Sequence, residues 1–262
     1  MSRQNYYAAR RLRRRREIDE AMIIELVKRE RRMQPRLGGR KLMRLLRTDL
    51  AEAGVSIGRD RFFEVLAEND LLVVRKPGRP HTTNSRHCLP VFHNLLAGGN
   101  FDAPNQAWVS DLTYICTDEG FMYAALITDV FSRKIVGAHI GDSLEAEGCL
   151  AALEKALAGL PLGMHPIHHS DRGSQYCCHA YVERLQDRGL SISMTEVMHC
   201  YENAMAERVN GILKQEYELD GTFRTKAQAR KAFEQAVWLY NHRRPHLMLG
   251  YRFPADVHKE AA

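Results

Sequence analysis

The chain has 262 residues, enough for one large domain or two modest ones. With 45% hydrophobic and 27% charged residues it is no disordered chain, and its longest apolar runs, such as Tyr123 to Thr128, fall far short of the about 20 residues of a membrane span. Cys88, Cys116, Cys149, Cys177, Cys178 and Cys200 contain no CxxC pair, which excludes a disulfide scaffold, makes a reducing cytoplasm the expected setting and argues against structural zinc. The basic N-terminus has no apolar stretch behind it, so no secretory signal is expected.

The net charge of +6 is unevenly spread. Residues 1–90 carry 22 Lys and Arg against 11 Asp and Glu, whereas the remainder carries 16 against 21. A polyanionic partner is expected for the front and a separate task for the body. Arg10, Arg11, Arg13, Arg14, Arg15 and Arg16 open the front as a dense cluster. Such a cluster serves as a solvated helix face, a targeting tract or a phosphate-binding arm. Planar guanidinium forks suit phosphate oxygens, so nucleic acid is the favoured partner, without a choice between DNA and RNA.

Residues 17–32 are predicted helical, with Ile18, Met22 and Leu26 in one row and Ile23 and Val27 beside it. Pro35 ends that helix and Gly38-Gly39 resets the chain. Leu42, Leu45, Leu46 and Leu50 predict a second helix from Arg40, stopped by Gly54. A third begins near Arg59 with Phe62, Phe63, Val65 and Leu66. This is the outline of a helix-turn-helix or of an ordinary three-helix bundle, and the arginine excess favours DNA docking. Arg40, Lys41, Arg59 and Arg61 are then candidate DNA contacts. The expected organisation is a basic helical arm over 1–34, a helix-turn-helix-like region over 35–74 and a linker over 75–102, turn-rich from Arg75 to Pro80 and closed by Gly98-Gly99-Asn100.

From Ala107 the pattern changes to strands. Trp108–Cys116, Phe121–Val130 and Lys134–Ile140 predict an antiparallel meander, with a turn at 117–120. A helix over Leu144–Ala158, a strand at Pro166–Ser170, a helix over 177–188 and a strand at Leu190–Met194 follow, then helices near 203–217 and 225–241. That order predicts an α/β fold of the ribonuclease H-like type, a mixed five-stranded sheet with flanking helices. The core is expected over 103–218, with a C-terminal helical tail over 219–262 packed on it.

Three acids stand out. Asp111 lies inside the apolar first strand, where a buried carboxylate needs a partner such as a metal ion. Asp171 follows the fourth strand, which in this fold lies beside the first. Glu207 shares one helical face with Asn203, Asn210 and Lys214, spaced 4, 3 and 4. Each acid alone would be an ordinary cap or surface group; together they are candidate catalytic residues and metal ligands. His169 is expected to flank the site, Asn203 to support it, and Lys214, Arg243 and Arg244 to meet DNA. Asp129 is expected to cap the Ser132-Arg133 turn, although a turn centred near 119 would place 127 opposite Asp111 and 129 on the same face. Glu202 and Glu216 fall off the face of Glu207. His165, His168, His169, Cys177, Cys178 and His179 cluster in sequence without the spacing of a zinc site.

Asp171 and Glu207 are separated by 35 residues, the D-D-35-E pattern of retroviral integrases and many bacterial transposases. Trp108–Tyr114, Asp129–Gly137, His169–Tyr176, Glu202–Glu207 with Leu213–Glu216, and Tyr240–His246 resemble the insertion-sequence-three family of transposases, and Ser2–Tyr7 resembles the start of that family's second-reading-frame product. Glu202 stands where the family more often has Asp. The resemblance covers nearly the whole chain. It implies cleavage at the ends of a mobile element and strand transfer, with double-stranded DNA as element ends and target, a homo-oligomer on paired DNA ends, an upstream-frame fusion partner made by frameshifting, and a bacterial, nucleoid-associated protein free of membrane. Two Mg2+ ions, with Mn2+ as substitute, would clamp the attacking and leaving oxygens, Asp111 bridging them and Asp171 and Glu207 holding one each. The rivals are a structure-selective nuclease of the same fold and a DNA-binding regulator with an inactive catalytic domain.

Overall fold

The computed structural model describes residues 3–73, 89–196 and 203–261, the side chain of Leu12 excepted. The chain divides into two compact units, Met1–Lys76 and Pro77–Ala262.

The first unit is helical: α1 (Arg3–Arg31), α2 (Gly39–Leu45), α3 (Arg47–Glu52) and α4 (Arg59–Glu68). Helix α1 extends well upstream of the helix predicted at 17–32, because an Arg- and Ala-rich stretch without breakers propagates a helix begun by the apolar rows behind it. Its two ends differ. The described side chains of residues 3–18 are exposed. Ile23, Leu26 and Val27 join Leu42, Leu46, Leu50, Phe62, Val65 and Leu66 in one core. The arm expected over 1–34 therefore enters the core of the helices that follow it. The helix predicted from Arg40 is two helices meeting at Leu46, whose backbone (φ −85°, ψ 3°) ends α2 and caps α3. Gly54, in the left-handed region at φ 69°, closes α3.

The second unit begins its strands with β1 (Ala107–Thr117), β2 (Gly120–Asp129) and β3 (Ile135–Gly141), joined as the expected antiparallel meander. After α5 (Ala146–Ala158) come β4 (Ile167–Ser170), α6 (Ser174–Cys177), α7 (His179–Asp187) and β5 (Ser191–Met194). The helix predicted over 177–188 is thus two pieces, broken by the extended backbone of Cys178. Then follow α8 (Ala204–Glu216), β6 (Thr222–Phe223), α9 (Lys226–His242) and α10 (Pro254–Glu260). The main strand order is β3-β2-β1-β4-β5, with β4 parallel to both β1 and β5. The two-residue β6 is a sixth strand, paired with the far end of β1 and too short to leave a sequence pattern.

Alternation along the strands supplies two cores. Trp108, Ala125 and Ile127 face Leu153, Leu157, Tyr181 and Leu185 of α5 and α7. Ile115, Met122, Ala124 and Leu126 face Val209, Ile212, Phe233 and Leu239 of α8 and α9. The sheet is sandwiched between these helix layers. Part of the linker expected over 75–102 lies outside the described residues. From residue 89 the chain lies along the body instead of spanning free solvent, because Phe92 packs on the first of these cores, Leu96 and Phe101 pack on a smaller cluster of Ala107, Val109, Val130 and Ala206, and the Leu95 amide donates to Ser193 Oγ at 2.8 Å.

Helix α5 sits unusually close to β3 at Gly137, where an added Cβ would lie 2.2 Å from the Ala152 carbonyl oxygen and 3.0 Å from Ala156 Cβ. Backbone cannot yield there as a flexible side chain would. Gly137→Ala is expected to cost about 1–3 kcal/mol, as overpacked cores do. Urea denaturation checks this, and an unchanged midpoint would show that α5 is free to shift.

Candidate active site

The site is built on the middle of β1. Thr117 pairs with Gly120 across the tight turn, so Asp111 lies opposite Leu126, one residue from the 127 expected of a turn centred at 119. Both face the α8 side of the sheet. Asp111 is 9% exposed, and both its oxygens are held: Oδ1 accepts from the Leu112 amide at 2.9 Å and Oδ2 from Asn210 Nδ2 at 2.7 Å. The parallel register between β1 and β4 pairs Val109 with His169; continued by two residues, it sets Asp171 beside Asp111. Asp171 is half-buried, and its Oδ1 accepts from the Gly173 amide at 2.9 Å. A side chain at 173 would stand 3.0 Å from that oxygen, so glycine leaves the carboxylate room.

Glu207 projects from the first turn of α8 into solvent. The head of that helix is tied to β1 by Asn203, whose Nδ2 donates to the Ser110 carbonyl at 3.0 Å. The supporting role expected of Asn203 therefore acts on the backbone next to Asp111. One turn on, Asn210 binds the Asp111 carboxylate itself. The sequence signal for Asn210 was its place in the polar stripe of α8; only the packing of α8 on β1 shows what it touches.

The acids feel one another. Burial, the Asp171 charge and the Glu207 charge push the Asp111 carboxyl up to about 7, against the hydrogen bonds of Asn210 and Leu112. Among the described residues no three His, Cys, Asp or Glu side chains form a ready metal cluster. The carboxylates converge electrostatically but stay open on the solvent side, through Asp171 and Glu207.

The other expected site residues divide sharply. Lys214 ends the α8 stripe with its Nζ 4.3 Å from the centre of the Tyr114 ring. His169 is fully buried and bonds Ser193 Oγ at 2.8 Å, so it braces β4 against β5. Arg244, expected at DNA, is buried in a bidentate pair with Glu216 at 2.8 and 2.9 Å. Burial opposes its charge, but the Glu216 pair outweighs burial and raises its pKa. It locks the tail to α8 and presents no guanidinium to solvent. Arg243 is half-buried. In the first unit Arg10, Arg11, Arg13, Arg14, Arg15, Arg16 and Arg40 are exposed and Lys41 is half-buried. Arg59 pairs with Asp60, and Arg61 is shared among Glu20, Glu64 and Glu68. Arg61, its side chain 42% exposed, thus ties α4 to α1 through Glu20.

Asp129 opposes Trp108, on the other face of β1 from Asp111. Its Oδ1 accepts from the Ser132 amide at 2.7 Å and the Ser132 hydroxyl at 2.6 Å, and its Oδ2 from the Asn105 amide at 2.8 Å. Burial alone would raise its pKa; bonding from His258, Ser132 and Asn105 holds it below the usual range. It caps the turn, as the favoured expectation had it. Glu202 lies outside the described residues.

Residues 102–200 match the integrase core domain family, and residues 188–254 match a second family of the same description. The chain is 39% identical over 246 residues to the 31 kDa protein of insertion element IS600 from Shigella sonnei, covering 92% of this chain and 88% of that one. It is 36% identical over 223 residues to the transposase for insertion sequence element IS629 from Shigella sonnei, covering 85% and 73%. The transposase InsF for insertion sequence IS3A from Escherichia coli strain K12 is 38% identical over 131 residues, 50% of this chain and 46% of that one. Among solved structures, a chain of the simian T-cell lymphotropic virus intasome in complex with PP2A regulatory subunit B56 gamma superposes with a TM-score of 0.52 at 18% identity, over 78% of this chain and 67% of that chain. The shared architecture is the ribonuclease H-like fold expected from the strand order.

An acid whose pKa rises on folding costs stability above its unfolded value, and the full cost is present above its folded value. For Asp111, raised from 3.8 to about 7, the cost is at most roughly 4 kcal/mol. Chelator-treated protein is expected to lose stability from this group between about pH 4 and about pH 7. Asp111→Asn removes that part of the slope. Urea melts of both proteins across the range test it, and parallel pH profiles would refute it.

Proposed function

The chain belongs to the insertion-sequence-three type of transposases, DDE enzymes with an integrase core domain, and from that premise we propose that it cuts the ends of its element and joins the freed 3′-hydroxyl to DNA by direct phosphoryl transfer. The observation that carries this reading is the convergence of Asp111, Asp171 and Glu207 from β1, the end of β4 and the first turn of α8.

The donor set fits hard divalent cations: carboxylate oxygens only, two of the three groups reachable from solvent, and a buried Asp111 whose charge is disfavoured by its acidic neighbours. When bound, two such ions, Mg2+ or Mn2+ in its place, would be held by Asp111, Asp171 and Glu207 and supply charge stabilisation for the attacking and leaving oxygens. The protein's own groups do the rest. Asn210 and the Leu112 amide fix the direction of the Asp111 oxygens. Gly173 keeps the space beside Asp171 open. Lys214, half-buried over the Tyr114 ring at the C-terminal end of the stripe, offers a cation to a DNA phosphate. No serine or tyrosine nucleophile is needed, because the attacking group is water in cleavage and a DNA hydroxyl in joining.

The exposed arginines of α1 supply the grip on duplex DNA, both element end and target. Two ends brought to one reaction favour an assembly of several copies, to which an upstream-frame segment adds further contacts.

Asp111→Asn, Asp171→Asn and Glu207→Gln each keep side-chain shape while removing a ligand charge. Each is expected to abolish Mg2+-dependent cleavage and joining of labelled element ends while retaining DNA binding. Full joining by any one removes that acid from the site, and cutting without joining by the native protein would assign a nuclease instead. Replacing Arg10, Arg11, Arg13, Arg14, Arg15 and Arg16 with Gln in the full chain is expected to weaken DNA binding. The slope of log K against log salt should flatten by about 0.9 for each phosphate that the arm no longer neutralises. An unchanged slope in filter binding would move the grip elsewhere.

A further inference from the structure

The parallel ladder between β1 and β4 is three pairs long, Ala107 to Val109, and stops just short of the two aspartates it must align. The next residue of β1, Ser110, adds a side-chain tie. Its Oγ lies 2.7 Å from Nε2 of His168 on β4, and the Tyr181 hydroxyl of α7 lies 2.9 Å from the same nitrogen. All three residues are fully or almost fully buried. Ser110 points to the opposite face from Asp111, into the cluster of Trp108, Ile127, Tyr181 and Leu185. It therefore cannot touch an ion or substrate at the carboxylates. Its backbone carbonyl meanwhile holds Asn203 at the head of the helix that carries Glu207.

Polar groups in such a core need a reason. Hydroxyls and an imidazole gain little there over well-packed apolar groups of the same volume, and any one left unbonded is costly. What this network provides, although it leaves the His168 Nδ1 buried and unbonded, is geometry: it ties β1, β4 and α7 together at one point. Burial keeps the His168 imidazole neutral, its pKa pushed down to about 3, so the tie does not come and go in the working pH range.

We infer that Ser110 is a positioning residue for the acidic site: through His168 and Tyr181 it sets Asp111 against Asp171, and through Asn203 it sets both against Glu207. This rests on the reading of those three acids as the ion-holding groups. Groups that orient metal ligands from behind alter affinity or activity by about 10–100-fold when removed, which sets the size of the effect sought here.

The test uses the full chain and Mn2+ alone, with free Mn2+ followed by its electron paramagnetic resonance signal. Ser110→Ala is expected to raise the Mn2+ dissociation constant about tenfold, Ser110→Thr to restore most of it, and Tyr181→Phe to give a smaller rise. Joining by Ser110→Ala should recover as Mn2+ is increased. Native Mn2+ affinity in Ser110→Ala and Tyr181→Phe, with thermal stability alone reduced, would overturn the inference and leave the cluster a matter of core packing. If Ser110→Ala does not fold, native affinity in Tyr181→Phe overturns it equally. Asp111→Asn separates the two readings: native Mn2+ affinity in that variant would remove the acids as ion-holding groups, whatever Ser110 does.

Discussion

Like charge gathered around one carboxylate on a buried strand is the constraint around which the second unit is organised. Asp111 would be cheaper protonated, and Asp171 and Glu207 make it more so. Of the three, only Asp111 is buried, so the elements around it must hold it in place while Asp171 and Glu207 keep access to solvent. Strand β1 is central and eleven residues long; Asp111 is paired with β2, and β4 and β6 fix the strand on the other side at Ala107–Val109 and at Cys116–Thr117. Asn210 and the Leu112 amide hold its oxygens, and Asn203 holds the helix of Glu207 against the same strand. The strain of assembling the acids is thus carried by hydrogen bonds whose partners lie on different elements.

The same logic explains the buried polar groups farther from the site. Asn241 of α9 gives and takes one hydrogen bond each with the Ile135 backbone at 2.9 Å, anchoring α9 to the start of β3. Arg244 and Glu216 join the tail to the end of α8, and Asp129, Ser132 and His258 join α10 to the turn after β2. These contacts make the C-terminal region part of the catalytic body. They also place the Arg244 guanidinium, with 3% of its side chain exposed, inside the fold against Glu216.

In the first unit, arginine has two roles that composition does not separate. Along the front of α1 the side chains stand in solvent, with no acidic residue among positions 3–16. On α4, Arg61 is surrounded by carboxylates from its own helix and from α1, so it knits the bundle together. Positive charge runs unbroken along the first of these surfaces, whereas on the second it is offset by neighbouring carboxylates.

Local pattern carried a large part of the fold and of the site. Alternation over Trp108–Cys116 placed Asp111 inside a strand, and a stripe of period 3.6 placed Glu207, Asn210 and Lys214 on one helical face, because both periods are properties of the backbone over a few residues. The order of strands and helices then implied which strands would be neighbours. Other features depended on residues far apart in the chain. The register that sets Asp111 opposite Leu126 follows from where the turn closes, and one residue there changes the face of every partner. The breaks at Leu46 and Cys178 are backbone conformations that no Gly or Pro at those positions announces. Asn210 meets Asp111 across 99 residues of sequence, Ser110 meets His168 across 58, and Arg244 turns inward to Glu216 across 28. The sequence by itself determined which residues carry charge, donors and apolar faces; tertiary structure alone decided which of them meet, because a hydrogen bond or ion pair depends on distance in space, and distance in space between remote residues is set only when the sheet and its helix layers have closed.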